Sequence, residues 1–364
     1  MQKQYEKLMR KCINLAKKSE GRTSPNPLVG AIIFDDDFRI ISTGRHEYYG
    51  GNHAERNAVF ASKEDLKGKS IIVNLEPCSH HGKTPPCADL LVEKGFKRVI
   101  CGMVDPNIKV AGNGIRILKD AGIEVVTGIL ENECKELNKF FIKNHVEKMP
   151  YITIKTATTL DGKIATCDYV SKWITDEVSR REVQKLRNQY DAILTGANTV
   201  IQDNPSLTCR MKNGRNPIRI VLDTNFSTDI DSKIYNNDGT RVILVTSYDS
   251  DCSKVVEKIP HVEILKCPKK NNHIDLKFTV NELFKMGINS ILVEAGAKIN
   301  KSFLEEKLVD ELIQFIAPKI LGDATSIDFV QGFDRKTLTE CNILNITTVK
   351  KLKNDIMIIG KFHY

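Results

Sequence analysis

Strand-like and helix-like signals alternate along this chain in two successive runs, and the pause between them at EKMPY, residues 147–151, constrains the fold more than any other feature. In the first run, Tyr5, Leu8, Met9, Cys12, Leu15 and Ala16 fall at helical spacing over about residues 4–18, and Gly21 ends the pattern. LVGAIIF and RIISTGRH then read as strands joined by the acidic turn DDD. HAERNAVFASKEDL, residues 53–66, reads as a helix ending before Gly68. A buried strand SIIVNLE, a helix CADLLVEKG, a strand RVICGMV, a helix near GIRILKDAG, a strand IEVVTGI and a helix over residues 131–148 complete the run. Such alternation implies a mostly parallel sheet with helices on its faces, an α/β class.

The second run opens with YITIKTATTLDGKIA and continues with a helix TDEVSRREVQKLRNQ. Strands DAILTG, PIRIVLD, RVILVT and SILVEAG follow, then a helix KSFLEEKLV and a strand ELIQFIAP. At 364 residues the chain exceeds the size at which one core keeps growing, so two domains are expected, residues 1–147 and 150–364. Solenoid repeats and low-complexity tracts are absent.

A composition of 41% hydrophobic and 27% charged residues is that of a globular protein, and the apolar runs are too short to span a bilayer. MQKQYEKLMRKC has no apolar secretory core, so a cytoplasmic location is expected. Residues 1–150 hold 24 basic and 19 acidic side chains and the remainder 30 and 27. No basic domain stands out, and the mild positive excess is compatible with anionic small substrates or with RNA, between which composition does not choose.

Eight of the ten cysteines stand alone and read as buried apolar thiols. Cys78 and Cys87, in EPCSHHGKTPPC, need another account. HAE places His53 and Glu55 in the first turn of a helix, while Cys78 ends a strand and Cys87 opens a helix after two prolines. His53, Cys78 and Cys87 are three N/S zinc ligands that leave a fourth position open, the design of a catalytic rather than a closed structural site. Glu55 has the type and position to carry a proton from an activated water to a departing amine. HxE followed by PC and a second cysteine is the zinc deaminase pattern. A Cys78–Cys87 disulfide, or a closed zinc site with His80 or His81 as fourth ligand, remains open at this level. Eight residues separate the cysteines here, where the nucleobase-deaminase pattern has two. That polar insert, with His80, His81 and Lys83, is suited to an anionic substrate group such as phosphate.

TSPNPLVGAII, HAERNAV, EPCSHHGKTPPC, DPNIKVAGNGI and GIEVVTGIL together resemble the deaminase part of the bifunctional riboflavin-biosynthesis deaminase/reductase family. KTATTLDGKIA, SKWIT, GANTVIQDNPSLTCR, PIRIVLDT and VEAGAKINKSF resemble its reductase part, so the resemblance covers essentially the whole chain. It implies a cytidine-deaminase-like three-layer α/β/α domain, zinc-dependent, followed by a dihydrofolate-reductase-like α/β domain that uses NADPH. It also implies deamination of a diaminopyrimidinone ribosyl phosphate, reduction of its ribosyl chain to ribityl, and a homo-oligomer. By the resemblance His53, Cys78 and Cys87 bind zinc, Glu55 shuttles the proton, and Asn26, His46, His80 and Lys83 hold substrate. In the reductase the implied substrate contacts are Ser171, Arg187, Leu207, Arg210 and Glu294. The implied NADPH contacts are Ala157, Trp173, Thr199, Asp203, Thr224, and the run Gly296, Ala297, Lys298, Ile299, Asn300, Lys301 and Ser302. Arg56 and Asn57 depart from the family, which usually has an apolar residue and a second histidine there.

Read without the resemblance, the second half is an α/β domain whose ILVEAGAKINKSFL junction offers helix-end amides to a cofactor phosphate. AGNGIRI lacks the third glycine of a dinucleotide fingerprint. Asp161, before Gly162, reads as a turn residue rather than a catalytic acid. Two competing readings share the metal pattern: an RNA base deaminase with an appended RNA-binding domain, and a zinc-stabilised binding protein without activity.

Overall fold

The computed structural model describes residues 1–79, 85–107 and 111–364. The chain divides into two compact units, Met1–Lys148 and Met149–Tyr364.

The first unit runs α1 (Gln2–Lys17), β1 (Gly30–Phe34), β2 (Ile40–Arg45), α2 (Ala54–Ala61), β3 (Ser70–Leu75), α3 (Cys87–Glu93), β4 (Arg98–Met103), α4 (Asn113–Asp120), β5 (Glu124–Thr127), α5 (Glu131–Leu137) and α6 (Lys139–Val146). Its sheet has the order β2-β1-β3-β4-β5, with β1 antiparallel to both neighbours and the other pairings parallel. Ile71, Ile72 and Val73 of β3 are wholly buried, as a central strand covered on both faces demands. Each such side chain contributes roughly 1.5–3 kcal/mol through burial. Two glycines show how the faces are covered. A Cβ on Gly30 would meet Cys12 O of α1 at 2.4 Å, and one on Gly44 would meet Ala54 O of α2 at 2.2 Å. Gly44 pairs across the strands with Ala31, the neighbour of Gly30, so the two glycines point to opposite faces. Helices α1 and α2 therefore lie on opposite sides of the sheet, giving three layers.

The second unit runs β6 (Tyr151–Thr158), β7 (Lys163–Ala165), α7 (Glu177–Gln189), β8 (Ala192–Gly196), α8 (Ala197–Asp203), β9 (Ile218–Leu222), β10 (Val242–Ser247), α9 (Ser253–Lys258) and β11 (Val262–Cys267). It continues with β12 (Lys269–Lys270), β13 (His273–Ile274), α10 (Leu276–Lys285), β14 (Ser290–Val293), α11 (Ala297–Glu305), β15 (Glu311–Ile316), β16 (Ile327–Asp328), β17 (Leu344–Leu352) and β18 (Asp355–Phe362). Nine strands form one sheet in the order β11-β10-β9-β8-β14-β6-β15-β18-β17. All pairings are parallel except those of β18 with β15 and β17. Alternate residues serve two cores: Ala192 and Leu194 face one cluster, Ile193 the other. Asp176 caps α7 by accepting from the amides of Val178 (2.8 Å) and Ser179 (3.1 Å).

Several elements differ from the sequence expectations. His53 is the N-cap of α2 rather than a residue of its first turn, and α2 stops at Ala61 instead of reaching residue 66. The single helix expected over 131–148 breaks at Asn138, whose side chain turns to the backbone of Leu28. The helix expected at 301–309 lies at Ala297–Glu305. The first unit's sheet is mixed, because the DDD turn makes a hairpin of β1 and β2. No helix among the described residues is long and apolar enough to cross a membrane.

Candidate active sites

In the first unit, β3 delivers the chain to Glu76, Pro77 and Cys78, and α3 begins at Cys87. The amide of Ala88 donates to Cys78 O at 3.1 Å, and that of Cys87 to Cys78 Sγ at 3.3 Å, so the helix start holds the first cysteine. From α2, His53 Nδ1 stands 3.4 Å from both Sγ atoms. The three ligand atoms lie within 4.8 Å of one another. Tetrahedral zinc, with bonds of about 2.0–2.3 Å to N and S, spaces its ligands by about 3.5–3.8 Å, so the set fits the ion. Both cysteines are free thiols, which removes the disulfide reading. Cys78 is held down to about 4, first by hydrogen bonding from the Cys87 thiol against the cost of burial, then by His53 and the Cys87 amide. A cation replaces the proton that this pair shares. His80, His81 and Lys83 lie outside the described residues.

Glu55 is 3% exposed, and burial followed by the charge of Cys78 pushes its carboxyl up to about 7. It lines a cavity of about 430 Å³ together with His53, Cys78, Asn26 and His46. His46 Nδ1 is 3.0 Å from Asn52 O and its Nε2 3.1 Å from Asn26 Nδ2. Both bonds are satisfied when Nδ1 donates and Nε2 accepts from the Asn26 amide, which leaves Asn26 Oδ1 to a ligand. Burial lowers the His46 pKa, in keeping with that neutral ring.

Sequence reasoning missed the residues that support this cavity. Asn74 and Asn138 clamp the segment carrying Asn26: Leu28 N donates to Asn138 Oδ1 at 2.8 Å, and Leu28 O accepts from Asn138 Nδ2 (3.1 Å) and Asn74 Nδ2 (2.9 Å). Glu76, 5% exposed, accepts from four backbone amides, those of Asp105 (3.1 Å), Gly112 (3.0 Å), Gly114 (3.0 Å) and Ile115 (3.2 Å). Arg56 donates weakly to Pro85 O at 3.4 Å and Asn57 to Arg45 O at 2.8 Å, so the two departures from the family pattern brace the α2 surroundings and ligate nothing.

In the second unit, Glu294 follows β14 and meets Arg187 of α7 in a two-pronged pair, Nε to Oε1 at 2.9 Å and Nη2 to Oε2 at 3.0 Å. Lys155 of β6, which sequence reasoning did not single out, adds Nζ to Oε2 at 2.8 Å. Burial raises the Glu294 carboxyl, but Arg187 and then Lys155 more than offset it and hold it at about 2. Ser171 donates to Asp203 Oδ1 at 3.2 Å. Arg210 is exposed, with its amide bound to Gln184 Oε1 at 2.8 Å, and Leu207 is buried. Trp173 is 59% exposed under the Arg180 guanidinium, 4.5 Å from its ring centroid.

Thr199 lies in α8 just after β8, Thr224 just after β9, and Gly296 caps α11 after β14. These are carboxyl ends of neighbouring parallel strands, where α/β sheets bind ligands. A Cβ on Gly296 would meet nothing within 4 Å, so space is open beside the start of α11, a helix N-terminus of the kind that suits a cofactor phosphate. Ala157, in β6, is half-buried, and Lys298 is exposed. Asn300 is buried with its amide on Phe329 O at 2.8 Å, Ser302 donates to Lys298 O, and Lys301 pairs with Glu305. Those three side chains are engaged within the unit. Asp161 lies in the turn between β6 and β7, and its carboxylate accepts from the distant amides of Leu321 (3.2 Å) and Gly322 (2.7 Å), tying that turn to a segment much later in the chain.

A model of the cytidine and deoxycytidylate deaminase zinc-binding region matches residues 2–103. The RibD C-terminal domain matches residues 150–357, more than half of the chain. RibD of Actinobacillus pleuropneumoniae is 42% identical over 351 residues, 96% of this chain and 93% of that protein. The chain belongs to the RibD family. RibD of Escherichia coli K12 is 40% identical over 346 residues, 91% of this chain and 93% of that protein. The crystal structure of a diaminohydroxyphosphoribosylaminopyrimidine deaminase/5-amino-6-(5-phosphoribosylamino)uracil reductase from Thermotoga maritima superposes with a TM-score of 0.89 at 40% identity. It covers 100% of this chain and 99% of that one. Acinetobacter baumannii RibD gives 0.89 at 34% identity, covering 100% of both chains. The chain is a bifunctional deaminase and reductase of riboflavin biosynthesis with zinc and NADPH as cofactors. Its architecture is the expected deaminase-like unit followed by the RibD reductase unit. The RNA-editing alternative is not favoured by these relatives.

Proposed function

We propose that the first unit, residues 1–147, deaminates a diaminopyrimidinone ribosyl 5'-phosphate, and that residues 150–364 reduce the ribosyl chain of the product to ribityl with NADPH. The observation that carries the first half is a buried carboxyl, Glu55, lining the same cavity as His53 and Cys78 of the ligand set that Cys87 completes. Zinc held there supplies Lewis acidity that readies water for attack on the amine-bearing ring carbon. Glu55 takes the proton from that water and hands it to the departing amine, a role open to a buried carboxyl that lines the cavity beside the ligands and is not itself one of them. Asn26, with His46 behind it, orients the ring, and His80 and Lys83 are assigned to the phosphate. Cys78 and Cys87, with His53, would hold the ion as thiolates.

In the reductase the substrate set is Ser171, Arg187, Leu207, Arg210 and Glu294. The Arg187–Glu294–Lys155 cluster fixes charged groups against which the ring-opened sugar is oriented. Ala157, Trp173, Thr199, Asp203, Thr224 and residues 296–302 are assigned to NADPH, the last chiefly through backbone amides. NADPH supplies hydride. The protein is assigned to the cytoplasm, as a homo-oligomer acting on a small molecule rather than on nucleic acid.

The test follows ammonia release and NADPH oxidation by zinc-loaded protein given the diaminopyrimidinone ribosyl phosphate. Ammonia is expected without NADPH, and NADPH oxidation upon its addition. Glu55→Gln is expected to lower deamination by about 10²–10⁴-fold while zinc stays bound and the deaminated intermediate is still reduced. Normal ammonia release by that variant overturns the assignment of the proton carrier.

A further inference from the structure

The deaminase cavity has a wall that the assigned residues do not use. Helix α6 contributes Phe141 and His145 to it, alongside Asp105 and Asn107. His145 Nδ1 is 3.0 Å from Phe141 O, one helical turn back, so that nitrogen donates to its own helix. Nε2 is then the ring nitrogen left for a ligand. The Phe141 and His145 rings are 4.1 Å apart between centroids at 43°, which fixes the imidazole beside an apolar face. Such an aromatic face with one polar atom suits a sugar, whose C–H surface packs on the ring while its hydroxyls take the hydrogen bond.

We infer that His145 is a substrate-contacting residue of the deaminase site, binding the ribosyl hydroxyls through Nε2. The inference rests on the deaminase reading of this cavity. Two further observations choose the sugar over the other parts of the substrate. The ring to be deaminated has to stand at His53, Cys78 and Glu55, and none of the described hydrogen bonds or ring contacts joins His145 to those three. The cavity is also lined by the carboxylates of Asp105 and Glu76, whose negative charge disfavours a phosphate beside them. Glu76 is fully engaged by backbone amides, and Asp105 accepts from the amide of Asn107 at 2.8 Å. His145 thus offers one ring nitrogen, Nε2, on a wall that carries two carboxylates.

The test uses the full-length, zinc-loaded enzyme with His145→Ala and His145→Gln, the latter setting an amide where Nε2 stood. Ammonia release gives KM and kcat, and the zinc content of the same preparations reports folding of the first unit. His145→Ala is expected to raise KM about five- to tenfold with kcat within about twofold, and Gln to recover most of the loss. The dephosphorylated nucleoside, used as a competitor, is expected to weaken by the same factor in the Ala variant. An unchanged KM overturns the inference, as does a loss confined to the phosphorylated compound. Wild-type enzyme that releases no ammonia strikes at the deaminase reading instead.

Discussion

Glu294 has a carboxylate with two cationic partners and almost no water, its side chain 9% exposed beside Arg187 at 12% and Lys155 at 13%. Its folded pKa, about 2, lies below the roughly 4.3 of an unfolded glutamate. The ionised form is therefore favoured by folding, and that stabilisation is fully present above about pH 4.3 and fades as pH falls toward 2. Glu294→Gln strands two buried cations, a change that costs about 3–5 kcal/mol when one partner of a buried pair is removed. Melting curves are expected to show a wide wild-type-to-variant gap at pH 7 that narrows steadily below pH 4.5. A gap that stays constant to pH 3 contradicts the charge cluster. Arg187 and Glu294 were assigned by the family resemblance, whereas Lys155 was not. It stands 139 residues from its partner, in a strand where a lysine reads as a solvent-facing residue. The metal ligands were readable because their chemistry is carried by residue types in short motifs.

At the scale of elements, the break between α5 and α6 is the instructive case. Periodicity runs through residues 131–148, and nothing local stops a helix at Asn138. The stop comes from Leu28, 110 residues earlier, whose N–H and C=O are both met by the Asn138 amide. Strand and helix identities were mostly legible because burial imposes a period. Helix ends and the antiparallel β1 pairings depended on such distant partners and on the DDD turn. Asn138→Ala leaves Leu28 N–H without that acceptor, at a cost of about 1–3 kcal/mol. It is expected to raise the deaminase KM through loss of Asn26 positioning, with zinc content unchanged by atomic absorption. Unaltered deaminase kinetics in a destabilised variant separates a purely structural clamp from a positioning one.

At the scale of the whole molecule, each unit has its own hydrophobic cores, and the ligand set lies wholly in the first. Stripping zinc with a strong chelator is expected to abolish ammonia release while leaving NADPH-dependent reduction of supplied intermediate within about twofold, because no residue of the ligand set belongs to the reductase unit. Loss of both activities together argues against that independence. The two-unit plan was legible from the pause at Pro150. The nine-strand sheet with its antiparallel closing hairpin was not, since strand order is set by packing rather than by pattern.

Glu76 has a wider consequence. The amides of Gly112, Gly114 and Ile115 at the start of α4 form the kind of nest in which free phosphate settles, and a carboxylate of the chain already sits there. The fold carries a permanent counter-ion of its own. A free phosphate therefore finds this seat at the start of α4 already taken.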